Sequence, residues 1–88
     1  MKKVTEGRRV VLCEDHVCFG GMQLTYQLSL LPHELQNQYY VAVLLAEERC
    51  EADAGCDLER AIWQYRRIRE GCVTPCGLDD VMQELHYA

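Results

Sequence analysis

From Met22 to Leu31 apolar and polar residues alternate without a break. Met22, Leu24, Tyr26, Leu28 and Leu30 fall on one side, and Gln23, Thr25, Gln27 and Ser29 on the other. A period of two sends one set into a core and the other into water, which predicts a β-strand. Tyr39 to Ala46 (Tyr-Tyr-Val-Ala-Val-Leu-Leu-Ala) is apolar or aromatic throughout and rich in strand formers, so it predicts a central strand covered on both faces. Upstream, Arg9 to Cys13 contains Val10-Val11-Leu12 and predicts a shorter strand antiparallel to the first. Gly20-Gly21 supplies turn chemistry before Met22, although Glu14 to Gly21 is a long connection for a tight hairpin. Pro32-His33-Glu34 ends the strand, and Leu35 to Gln38 reads as a connection or one helical turn. Arg49 to Asp53 predicts a short edge strand whose charges discourage edge-to-edge pairing.

After Gly55 the period changes. Asp57 suits a helix N-cap, and Leu58, Ala61, Ile62, Tyr65 and Ile68 recur at helical spacing up to Gly71, where a C-terminal glycine cap belongs. Thr74-Pro75 reads as an N-cap with proline at the first helical position, and Leu78, Val81, Met82 and Leu85 form the stripe of a short final helix. Strands first and helices last predict an α+β fold. It is a three- or four-stranded, mainly antiparallel sheet with two C-terminal helices packed on one face. With 88 residues there is one domain, spanning 1–88, and a core small enough to gain from a metal, disulfides or a second subunit.

Charge narrows the partners. The net charge of −5 disfavours nucleic acid and anionic membranes, which need a clustered positive field. The start, Met1 to Arg9, is basic, but Glu14-Asp15-His16 cuts short the apolar run behind it, so no secretory signal is expected. No apolar stretch reaches the roughly 20 residues that span a bilayer, and a cytoplasmic location follows as the expectation. In that compartment the six cysteines are read as reduced thiols.

Cys13-x4-Cys18 and Cys72-x3-Cys76 fall within zinc-ligand spacing, while Cys50-x5-Cys56 falls outside; no tight CxxC knuckle or His pair accompanies them. Small apolar thiols filling a core explain the same residues, and no cofactor is expected. Cys76 in the first turn of a helix would gain thiolate character from the dipole, with Cys72 as resolving partner, but Asp79 and Asp80 oppose it. The one serine, Ser29, lies on a strand face and not on a strained turn, so a hydrolase nucleophile is not supported. Glu51-x-Asp53-x-Gly55-x-Asp57 has its glycine misplaced for a calcium loop and lacks the closing glutamate. Arg60, Arg66, Arg67 and Arg69 with Trp63 form a basic-aromatic helix surface, diluted by Glu59 and Glu70.

The segment Thr74-Pro-Cys-Gly-Leu-Asp-Asp-Val81, the tyrosine-led strand at Tyr39-Tyr40 and the helix from Asp57 resemble a domain-of-unknown-function family of short proteins from clostridia and related Gram-positive bacteria. The resemblance runs from Leu24 to Leu85. It implies a bacterial α+β protein and no catalytic residue or cofactor.

These readings favour a non-enzymatic protein-interaction module that works as a homodimer. Two short helices cover one sheet face only, leaving an apolar patch at Tyr40, Ala42 and Leu44, or at the opposite set that begins with Tyr39, with Trp63 as a further contact. A zinc or thiol-redox protein using Cys13, Cys18, Cys72 and Cys76 is the second reading. A nucleic-acid accessory protein using the Trp63-arginine helix is the third.

Overall fold

A computed structural model describes residues 9–86. The basic opening stretch, residues 1–8, lies outside the described residues. Four strands, β1 (Val10–Phe19), β2 (Met22–Leu31), β3 (Gln38–Leu45) and β4 (Glu48–Gly55), form one antiparallel sheet in the order β1-β2-β3-β4. Helices α1 (Leu58–Glu70) and α2 (Leu78–His86) follow, joined through a single 3-10 turn at Pro75–Gly77. The α+β architecture expected from the sequence is present. Helix α1 packs on β2, β3 and β4, and α2 packs on β4, all on one face of the sheet. Among the described residues, no helix is long and apolar enough to cross a membrane.

Strand β1 departs most from the sequence reading. It continues through Glu14, Asp15 and His16 to Phe19, ten residues in all, and the hairpin is closed by Gly20 and Gly21 alone. Both glycines take positive φ, +59° and +82°, as a two-residue turn matched to strand twist requires. The polar residues expected to end the strand alternate across it instead. Asp15 faces the helices opposite Tyr26, while Glu14 and His16 face away opposite Gln27 and Thr25. Leu12 is an extra residue, a bulge between Val11 and Cys13.

The register of β2 and β3 sorts the core. Leu24, Tyr26 and Leu28 pair with Leu45, Val43 and Val41, all towards the helices. They meet Ala61, Tyr65 and Ile68 of α1 and Leu78 and Met82 of α2 in one cluster. Tyr39 shares that side and is 6% exposed, so it belongs to the core and not to the surface patch expected of it. Strand β4 is longer than the run from Arg49 to Asp53: it spans Glu48–Gly55, and Ala54, on the same side as Cys50 and Ala52, joins the core beside a bulge.

The helix ends also differ from expectation. Asp57 caps α1 as expected, accepting from the Glu59 amide at 3.1 Å. At the other end Gly71 keeps an ordinary φ of −83°, and Cys72 takes the left-handed conformation at φ +51°. The Val73 amide then reaches back to the Ile68 carbonyl at 3.2 Å, closing the helix. Thr74 and Pro75 open the 3-10 turn, and the Thr74 side chain makes no capping bond.

Candidate functional site

Among the described residues, the sheet face away from the helices and the edge of β1 lie open, and β4 forms the opposite edge of the sheet. On the open face Gln27 donates to Glu14 at 2.9 Å. The same carboxylate meets Nε2 of His16 at 3.1 Å, and Nδ1 of His16 lies 3.0 Å from the Thr25 hydroxyl. Further across, the guanidinium of Arg9 stacks on the Tyr40 ring at 4.0 Å and pairs with Glu51, which also meets Arg49. Gln38 donates to Asp53. Of the expected patch, Tyr40 and Leu44 are half-buried here, and Ala42 is sealed between Gln27 and Glu51 at 1% exposure. Charge pairing and hydrogen bonding engage Arg9, Glu14, His16, Gln27, Gln38, Glu51 and Asp53 across this face.

The helix side of β1 is tied down by polar groups. Tyr65 donates to Oδ2 of Asp15 at 2.6 Å, with the Tyr26 carbonyl oxygen 3.1 Å away, and Arg69 donates to the same Oδ2 at 3.0 Å. The Tyr65 hydroxyl and the Arg69 guanidinium hold the Asp15 carboxyl below its ordinary range. Burial, and then the adjoining carboxylate, push the Tyr65 phenol well up. Tyr26 donates to the Val73 carbonyl at 3.0 Å, and burial raises its phenol to about 12. These tyrosines stay protonated across the physiological range and act as fixed donors.

The cysteines do not assemble. Cys13 faces the helices opposite Leu28, and Cys18 faces away opposite Gln23, since five positions along a strand reverse the side. Cys72 packs against the core at the end of α1, and Cys76 sits exposed in the 3-10 turn beside Thr74. Among the described residues, no group of three or more His, Cys, Asp or Glu side chains is placed to hold a metal.

The arginine surface is also divided. Arg60 and Arg67 lie over the half-buried Trp63 ring at 5.3 and 5.5 Å. Arg60 donates to the Leu85 and His86 carbonyls at the end of α2, and Arg69 is held by Asp15. Arg66 and Arg67 are the exposed members.

The β1 edge is different in kind. Val10 and Val11 are each 50% exposed, Leu12 41% and Phe19 53%. Leu35, in the loop that borders Val10, is almost wholly exposed. The length of β1 hid this edge from the sequence reading. The available signal was Gly20-Gly21 immediately before Met22, which fixes where the neighbouring strand must end.

Comparison with protein-family models, curated proteins and solved structures returns no match for this chain.

Proposed function

We propose that this chain is a non-enzymatic protein-interaction module that accepts a partner's strand along β1. One observation carries the reading. Of the six large hydrophobic side chains exposed among the described residues, four stand on β1, which pairs with β2 on one side only. The opposite edge, β4, carries Glu48, Arg49, Glu51 and Asp53, charges that discourage strand addition. Strand addition satisfies the row of free backbone groups at an edge, and the flanking side chains supply specificity. The contact surface therefore moves from Tyr40, Leu44 and Trp63 to β1 and the neighbouring Leu35.

Photo-crosslinking in cells of the protein's source tests this. A benzophenone side chain replacing Val11 is expected to give a covalent protein adduct, and the same group replacing Arg66 none. Absence of an adduct at Val11, or equal labelling at both positions, would overturn the reading.

A further inference from the structure

We infer that the strand added to β1 is the β1 of a second copy of this chain, antiparallel to it about a two-fold axis at Asp15. The inference rests on β1 being the interaction edge, and it adds the partner and the register.

The two-residue turn makes Phe19 and Met22 a hydrogen-bonded pair, so alternate residues Val17, Asp15 and Cys13 also direct their backbone groups to β2. Glu14, His16 and Cys18 direct theirs outward. Pairing about Asp15 sets the outward groups of Glu14 against those of the partner's His16, and the reverse. On the open face Glu14 and His16 already lie side by side at 3.1 Å. Two such pairs placed antiparallel form a square in which each carboxylate has an imidazole on two sides. On the helix side Cys13 meets the partner's Val17. At the axis two Asp15 carboxylates approach, each held by its own Arg69, so two positive groups balance two negative ones. The exposed run Val10–Leu12 meets the Phe19 end of the other copy.

Other registers lose this match. An axis at His16 sets Asp15 against the partner's Val17 and Glu14 against the partner's Cys18. An axis at Glu14 sets His16 against the partner's Leu12. Of these three axes, the one at Asp15 sets Glu14 against His16 and Cys13 against Val17, with Arg69 balancing the one like pair, Asp15 against Asp15. An inward-facing charge on an edge strand also rejects indiscriminate partners, as does the bulge at Leu12. Both helices of each copy fall on the same side of the joined sheet, and α1 reaches β1 through the Tyr65 and Arg69 side chains.

Charge exchange tests the register by light scattering on the purified chain. The unsubstituted protein is expected at twice the 10.2 kDa chain mass. Glu14→Lys removes the carboxylate that faces the partner's imidazole, and His16→Glu opposes two carboxylates across the pair. Each alone is expected to raise the dissociation constant at least tenfold, a shift of about 1.4 kcal/mol or more. Mixed in equal amounts, the two variants set the introduced lysine against the introduced glutamate and restore one contact of Glu14 with His16, and the dimer returns as a heterodimer. Thermal melts establish that each variant is folded. A monomeric unsubstituted chain, single variants that remain dimeric, or a mixture that stays monomeric would overturn the inference. A Val11 adduct to a different protein, from a chain monomeric alone, would overturn self-pairing and leave the edge reading intact. No Val11 adduct would overturn both.

Discussion

The Tyr65 hydroxyl meets Oδ2 of Asp15 at 2.6 Å, joining residues fifty positions apart and fastening the edge strand β1 to helix α1. Tyr65 is 2% exposed, so its hydroxyl has little alternative in water. Tyr65→Phe is expected to lower unfolding free energy by roughly 1–2 kcal/mol. Urea denaturation reads this directly, and an unchanged midpoint would mean the bond adds nothing.

The same contact gives stability a defined pH dependence. Because the Asp15 carboxyl is held below its ordinary value of about 3.9, its contribution is complete above that value. It fades as pH falls through the lower folded value. Asp15→Asn should flatten this acid limb. On the alkaline side the Tyr65 and Tyr26 phenols are raised above the ordinary value of about 10. Their contribution is complete below that pH and is lost as pH rises towards the folded values, about 12 for Tyr26. Denaturation midpoints across both ranges check the two limbs separately.

The turns of the first and last hairpins call for opposite changes. Gly20 at φ +59° occupies a position that asparagine tolerates, and Gly20→Asn restricts the unfolded chain. It should stabilise by about 0.5 kcal/mol. Ala46 carries φ +53° in the turn between β3 and β4, where its side chain is strained. Ala46→Gly relieves that strain and should raise stability by about 0.5–1 kcal/mol, after the added flexibility of glycine is subtracted. Thermal melts that fall for either variant would contradict the turn geometry.

Gln64 is 4% exposed, and its Oε1 has no hydrogen-bond partner among the described residues. An unsatisfied buried amide oxygen costs on the order of 1–3 kcal/mol. Gln64→Leu, close in size, is expected to stabilise the protein by about 1 kcal/mol. A destabilised variant would show that the amide makes a contact worth keeping.

Thiol accessibility offers a test that needs no substitution. Cys13, Cys18, Cys56 and Cys76 are exposed, whereas Cys50 and Cys72 are partly buried. A thiol reagent on the reduced native protein should label the first four in a fast phase. The other two should follow slowly or on unfolding. If β1 pairs with a second copy, Cys13 and Cys18 slow as concentration rises while Cys56 and Cys76 do not.

The parts of the fold that follow from local pattern could be read in the chain. The alternation from Met22 to Leu31 and the helical spacing from Leu58 to Ile68 each fix an element by periodicity alone. Strand β1 could not be read this way because its charged residues are satisfied by partners distant in sequence. Asp15 looks like a strand breaker until Tyr65 and Arg69 are beside it. Tyr39 and Tyr40 are adjacent and chemically identical, and only the register against Leu30 and Ser29 separates a core residue from a surface one. The cysteine spacing was compatible with metal binding until strand geometry put Cys13 and Cys18 on opposite sides. The edge that carries the proposed function came from strand length, which is the quantity least visible in sequence.

The order of the elements sets a timetable for synthesis. Each strand hydrogen-bonds to its neighbour in the chain, so the sheet can close hairpin by hairpin as the polypeptide emerges. The side carrying Leu24, Tyr26, Leu28, Val41 and Val43 then stands uncovered until Ala61, Tyr65 and Ile68 have left the ribosome. A nascent chain stalled before Leu58 presents that apolar face to its surroundings, and the two helices that follow are what turn a sticky sheet into a closed core.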